Sequence, residues 1–288
     1  MSQALSNVSP VARDMLVEFK ATRSIMDRHR LAVRDVIEGA KLWRLSWTLG
    51  WLDIRLRYRG SMLGPFWLTL STAIMVGSLG YLYAVLFHQD LSEYLPYLAL
   101  SQVLWAFLAS LVSESCSTFT ETESVIRSIR MPYFVFGVRT LIRNVLVLAH
   151  NIIVIVGVDI VFSIWPGSTA LLALPGLLLW TVDSLALTLL LGGFCARFRD
   201  VMPIVNSVMQ IAFFLTPVIW KPEQLDAAHR GKLVLNPFYD LLEIVRAPLL
   251  GQLPDANVWI GAGLYSLLLC LVAWAFFART RSRLAYWL

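Results

Sequence analysis

The stretch Asp53-Ile54-Arg55-Leu56-Arg57-Tyr58-Arg59-Gly60-Ser61-Met62-Leu63-Gly64-Pro65-Phe66-Trp67 decides how this chain is read. Three arginines at alternate positions close a helical segment, and a Gly-Pro break follows. The chain then runs from Phe66 to Phe87 without a charge. About twenty apolar residues are what a helix needs to cross the hydrocarbon of a bilayer. A basic segment directly before such a span belongs on the cytoplasmic surface, where Lys and Arg are retained.

Composition agrees with that reading. Of 288 residues 58% are hydrophobic and only 15% charged, with a mean hydropathy of +0.67. Soluble domains carry roughly a quarter charged residues. The expected fold class is therefore an all-α integral membrane protein. Its formal charge of +5 is a matter of topology and does not argue for a nucleic acid partner. Cys116, Cys195 and Cys270 are scattered, as are His29, His88, His150 and His229. Neither set has metal-ligand or redox spacing, so no metal is expected.

Six spans are expected: Phe66–Phe87, Tyr94–Ser113, Asn144–Ile164, Thr169–Phe194, Val201–Trp220 and Val258–Ala278. An even number puts both termini on one side. With these boundaries 20 of the 24 Lys and Arg residues fall on the terminal side; only Lys221, Arg230, Lys232 and Arg246 fall opposite. Both termini are then cytoplasmic. Residues 1–35 are polar, with a short helix expected over Val11–Asp27 after Pro10, and show no signal-peptide core, so the first span is expected to direct insertion.

Residues 36–60 form an amphipathic helix before the membrane domain of residues 61–288. Val36, Ala40, Trp43, Trp47, Trp51, Ile54 and Tyr58 make one helical stripe, and Leu42, Leu45, Leu49, Leu52 and Leu56 a second. At about 100° per residue the two lie on opposite sides, separated by Lys41, Arg44, Arg55 and Arg59. Tryptophan suits the headgroup zone. The reading is a helix in the membrane interface, one stripe toward lipid and the other toward the bundle. Arg55, Arg57 and Arg59, with Trp43, Trp47 and Tyr58, are the candidates for contact with an anionic headgroup.

Thr120-Glu121-Thr122-Glu123 has the form of a capping box. Arg127 and Arg130 follow, and Pro132 ends the run. A short cytoplasmic helix over Glu121–Met131 is expected. Between the last two spans, Lys221–Asn257 is too long for a turn and too apolar for a free loop. Two short helices re-entering the outer membrane face, divided near Asn236-Pro237, are expected to line a cavity and form an outer gate. Asp159 and Asp183 lie within spans, where a carboxylate faces protein or water. They raise the alternative of a secondary transporter, although no basic relay accompanies them. A membrane enzyme would need a clustered catalytic set, and none is visible.

Four stretches in order carry a family likeness: Asp53–Trp67; Arg197-Phe198-Arg199-Asp200 with the fifth span; Leu215-Thr216-Pro217-Val218-Ile219-Trp220; and Asn236-Pro237-Phe238-Tyr239 through Arg246-Ala247-Pro248-Leu249. From about Leu42 onward the chain resembles the permease subunits of bacterial type-2 ABC exporters for polysaccharides, which move O-antigen, capsule and teichoic-acid polymers. The longer N-terminal segment departs from that pattern. The resemblance implies an inner-membrane homodimer with two cytoplasmic ATPase subunits, which bind the ATP and Mg; this chain has no GxxxxGK[ST] phosphate loop and needs no cofactor of its own. It implies ATPase coupling through Glu121, Glu123, Arg127 and Arg130, and a periplasmic gate at Asn236, Pro237 and Arg246. A lipid-linked glycan would pass channel aromatics, for which Trp67, Tyr81, Tyr83, Trp105, Phe213 and Phe214 are candidates. The alternative within the same fold is export of a drug or small lipid.

Overall fold

The computed structural model describes residues 25–64 and 66–288, and all regular structure among them is helical. In chain order the helices are α1 (Ile25–Lys41), α2 (Trp43–Arg57), α3 (Phe66–Leu86), α4 (Leu91–Glu121), α5 (Glu123–Ser128), α6 (Tyr133–Phe162), α7 (Ala173–Leu187), α8 (Gly193–Arg197), α9 (Val201–Leu215), α10 (Ala227–Arg230), α11 (Pro237–Leu249), α12 (Ala256–Thr280) and α13 (Leu284–Trp287). A π turn over Thr188–Gly192 joins α7 to α8 in one apolar rod. The expected helix over Val11–Asp27 lies outside the described residues up to position 24.

Five of these rods are long and apolar enough to cross a membrane; α9 is shorter. Its 15 residues rise about 22 Å, below the roughly 30 Å of hydrocarbon. The fifth expected span thus corrects to a helix ending at Leu215. Thr216 takes an extended backbone and the chain turns on to Trp220. Pro217 explains the stop, since the residue before a proline is driven out of the helical region.

Helix α4 is the hub. In its most apolar window 72% of residues are buried, against 11% in α6 and 17% in α3, so the other rods pack around it and turn apolar sides outward. The main core joins α4, α7, α9, α11 and α12 through Leu104, Trp105, Leu108, Trp180, Met209, Leu242 and Val258. A second core at the Arg-rich face holds Ala32, Phe119, Phe136, Phe277 and Leu284.

Four further expectations are corrected. Residues 36–58 are not one helix: the rod breaks at Leu42, between α1 and α2. Next, α2 does not turn one apolar stripe to the bundle. Ser46, Gly50 and Ile54 are the buried residues, while Trp43, Trp47, Trp51, Leu45, Leu52 and Leu56 are all exposed. Small residues allow two backbones to approach closely. A Cβ on Gly50 would sit 2.9 Å from Ile142 Cγ2 and 3.0 Å from the Arg139 carbonyl oxygen.

Nor does the capping box form. Helix α4 runs through Glu121, the Thr120 hydroxyl donates back to the Ser117 carbonyl (2.9 Å), and Thr122 leads α5 without a side-chain cap. The helix expected over Glu121–Met131 is the six residues of α5, and Pro132 begins α6 rather than ending α5. Last, the connection between α9 and α12 holds one helix of substance. Ahead of α11 come single turns and the four-residue α10; Asn236 then caps α11, its side chain accepting from the Phe238 N–H at 3.0 Å. Asparagine before proline is a strong local start signal, so the division at Asn236-Pro237 stands where expected.

Candidate functional site

On α2 the small strip packed on α6 decides what each arginine does. At about 100° per residue, Asp53 and Arg57 share the angular sector of Ser46 and Gly50, whereas Arg44, Arg55 and Arg59 point the opposite way. Asp53 accepts from Arg139 Nε and Nη2, both at 2.6 Å. Arg57 Nη2 reaches Glu114 of α4 at 3.3 Å. Arg143 joins the cluster from α6: its Nε donates to Glu114 at 2.8 Å and its Nη1 to Glu121 at 3.3 Å, with Asp53 at 3.8 Å. Asn144 Nδ2 completes the coordination of Glu114 at 2.7 Å.

This cluster links α2, the C-terminal end of α4 and the N-terminal end of α6 through charge-assisted bonds, which are stronger than neutral ones. It is partly dry. The Arg143 side chain is 8% exposed and that of Asp53 15%, so the pairs escape much of the screening that weakens surface ion pairs. Tyr58, half-buried at the end of α2, has its phenol pushed up by that burial, with Arg57 acting against it. Of the predicted contact residues, Trp43, Trp47, Arg55 and Arg59 stay exposed. Arg55 and Arg59 line a shallow cleft of about 510 Å³ with Leu52 and Leu56.

Helix α5 is a projecting knob. Val125 and Ile126 pack on the second core, while Arg127 and Arg130 are exposed. The two glutamates part company here. Glu123 faces Arg127 at 2.8 Å and Arg199 at 3.9 Å. Glu121 is drawn back onto α4 and α6, accepting from Ser117 Oγ at 2.6 Å as well as from Arg143. It therefore joins the knob to the ionic cluster.

Asp35 was not among the candidate residues, and it matters. Buried on α1, it accepts from the Tyr133 and Phe134 N–H groups at 3.2 and 3.1 Å, and from Arg281 Nε at 2.8 Å. A carboxylate there satisfies the open donors at the start of α6 and matches the helix dipole. Its only sequence signal is an acidic residue with no local partner.

At the opposite face the Thr216–Trp220 turn is held by a buried lock. Arg246 of α11, 1% exposed, donates Nη1 to Tyr97 Oη at 2.8 Å and to Ser101 Oγ at 3.0 Å. It also pairs with Glu243. Tyr97 Oη donates to the Pro217 carbonyl at 2.8 Å, with the Trp220 carbonyl at 3.0 Å. Asn236 Nδ2 donates to Thr216 Oγ1 at 3.0 Å. Arg246 is thus locked inside, holding α11 to α4. Tyr97 was the residue missed; tyrosine on an apolar helix gives no sign of its partner.

The structure scatters the aromatic candidates. Trp67, Tyr81 and Phe214 are exposed, and Tyr83 is half-buried against Phe87. Trp105 is buried between Phe213 and Phe238. Asp183 accepts from Ser266 Oγ at 2.7 Å; no group of three or more metal-ligating side chains occurs among the described residues.

The model of a family described as ABC-2 type transporter matches residues 44–250, which contain the ionic cluster, α5 and the Arg246 lock. The chain is 23% identical over 236 residues to the O-antigen export system permease protein RfbA of Myxococcus xanthus, covering 81% of this chain and 91% of that protein. A protein of the same name from Klebsiella pneumoniae is 19% identical over 191 residues, 66% of this chain and 74% of its own length. The chain therefore belongs to the ABC-2 type transporter family and is a multi-pass transporter membrane subunit, not itself catalytic.

Proposed function

We propose that this chain is the channel-forming permease of an ATP-driven exporter that moves lipid-linked polysaccharide outward across the bacterial inner membrane. The observation that carries this beyond family membership is the ionic cluster. It holds α2 against α6 with the Arg44, Arg55 and Arg59 strip turned outward, and joins α2 to the root of α5 through Glu114 and Glu121. A cationic, tryptophan-flanked strip is suited to a phosphate-linked lipid headgroup. The relatives are named as permeases of O-antigen export systems, which supports the same reading.

In this reading two copies of the chain face each other with two cytoplasmic ATPase subunits, which bind ATP and Mg. Six segments span the membrane, α9 and its turn being the fifth, and both termini are cytoplasmic. Helix α5 seats in the ATPase through Glu123, Arg127 and Arg130, while Glu121 passes its displacement to the cluster. The α11 region forms the outer gate around Asn236, Pro237 and Arg246. Exposed rings such as Trp67, Tyr81 and Phe214 offer the polymer flat apolar faces, on which sugar C–H groups pack.

The test is deletion of the gene followed by fractionation of lipid-linked glycan. Polymer held on the cytoplasmic side is the expected result; normal surface glycan overturns the proposal.

A further inference from the structure

Asp240 of α11 is wholly buried, and neither of its carboxyl oxygens has a hydrogen-bond partner among the described residues. Asp183, the other acid with an unpaired buried oxygen, keeps one bond, to Ser266. The Asp240 carboxyl is seated over Gly261 of α12. A Cβ at Gly261 would collide with Asp240 Oδ2 and stand 3.0 Å from its Cγ, with Val234 Cγ1 at 3.5 Å from the same point. Glycine inside a helix costs stability, and here the missing side chain makes the notch that takes the acid.

No cation answers that carboxyl from any element packed on α11. On α11 itself, Tyr239 is the neighbour in sequence, and Glu243 and Arg246 pair with each other. Arg246 is turned to Tyr97 and Ser101 of α4, about 120° round the helix from Asp240. From α4 come Tyr94 and Tyr97, whose hydroxyls are bonded to the Ile219 and Pro217 carbonyls. From α12 comes Tyr265, bonded to the Leu235 carbonyl, while Asp255 at its start is exposed. From α7 comes Asp183, bonded to Ser266. Lys232 ahead of α11 is exposed, and the turn at Ser168–Leu172 carries no titratable group. Burial alone acts on Asp240, and it pushes the carboxyl up to about 7.

A carboxylate in that notch is a buried charge without a partner, which a fold avoids by keeping the proton. We propose that the neutral acid form of Asp240 seats α11 on α12, and that loss of its proton releases the helix, so that Asp240 and Gly261 form a proton-operated latch. Two fixings of different kind then hold α11. The ionic lock of Arg246 ties it to α4; the latch ties it to α12 only while Asp240 is neutral. Released into water, Asp240 returns to the ordinary aspartate value near 4. The ratio of released to seated α11 therefore rises about tenfold per pH unit between about 4 and about 7, and levels above. Gate opening by proton loss rests on the reading of α11 as a gate; the latch itself does not.

Ala262, fully buried beside Gly261 in the core shared with α11, is the reporter position. Ala262→Cys is made in the full chain, with and without Asp240→Asn, and each protein is reconstituted in phospholipid nanodiscs. The rate of N-ethylmaleimide addition at position 262 is followed by mass spectrometry at a series of pH values. Both proteins carry the same cysteine, and both keep the exposed Asp226–His229 pair, so thiol ionisation and other titrations cancel in the ratio of their rates. That ratio should rise about a hundredfold from about pH 5 to about pH 7 and then flatten. A ratio that does not change with pH overturns the latch. Where Asp240→Asn fails to fold, Gln252→Cys at an exposed position supplies the reference rate with Asp240 intact, and the same criterion applies. No ATPase or glycan enters the measurement, so a flat ratio leaves the transport reading standing, and a failed export test leaves the latch standing.

Discussion

Arg139 holds Asp53 through two parallel bonds of 2.6 Å, although the residues are 86 positions apart. One belongs to the basic helix before the first span and the other to the N-terminal end of α6. The fork geometry makes the contact directional, and it fixes the angle at which α2 leaves its cationic strip exposed. Asp53→Asn should destabilise the docked α2 by about 2–3 kcal/mol, because Arg139 is left with one neutral acceptor in a partly dry site. The exchange Asp53→Arg with Arg139→Asp should recover part of that loss. Thermal unfolding of the four proteins of the double-mutant cycle reads the coupling, and additivity would show that the pair does nothing.

Gly50 tests the same docking by sterics. A methyl there meets both a β-branched side chain and a backbone oxygen, so neither can yield cheaply. Gly50→Leu should lift α2 off α6 at a cost of about 1–3 kcal/mol. A spin label placed at exposed Thr48 should then gain mobility, and an unchanged spectrum would remove Gly50 from the account.

The two glutamates around Thr122 should behave differently. Reversal of Glu123 strips Arg127 and Arg199 of their partner on the exposed knob, and is expected to lower capture of the ATPase subunit by about tenfold, near 1.4 kcal/mol. Glu121→Gln should leave capture within about twofold and instead weaken ATPase stimulation, since its carboxylate is spent on Ser117 and Arg143. Pull-down and ATP hydrolysis measured on the same preparations separate the two. Parallel losses in both assays would merge their roles.

At the buried lock on α11, Arg246→Met leaves Tyr97, Ser101 and Glu243 without their shared donor. Breaking a buried ion pair costs about 3–5 kcal/mol, so this should be the most destabilising of these changes. Tyr97→Phe removes the hydroxyl that accepts from Arg246 and donates to the Pro217 carbonyl and should cost about 2–3 kcal/mol, less than loss of the arginine because Arg246 keeps Ser101 and Glu243. Cysteines introduced at exposed Leu235 report whether the turn has come loose by their rate of thiol labelling. A rate unchanged in Arg246→Met would argue that the lock is redundant.

Five long apolar helices were legible because hydrocarbon imposes a one-dimensional rule: Phe66–Leu86, for one, lacks charge and is long enough. The break at Asn236-Pro237 was legible for a similar reason, as a cap acts on its own next turn. Even the division of labour among the arginines was present in the periodicity, since Arg57 falls on the Ser46–Gly50 side and Arg55 and Arg59 do not. Weighting the large Trp and Leu stripes hid it; close helix packing selects small residues instead.

The failures share one cause. Thr120 had a good local capping pattern, yet α4 continued through it, because burial of Phe119 and Thr122 among α6 and its neighbours outweighs a cap worth about 1 kcal/mol. Asp35, Tyr97 and Arg143 carry no local mark at all. By itself the sequence determined a basic-fronted bundle of apolar helices, because the bilayer acts on each segment separately. Only the tertiary structure decided that Asp53 meets Arg139, that Arg246 is locked against Tyr97 and that Asp183 meets Ser266, because each pairing needs two distant helices brought within about 3 Å of each other.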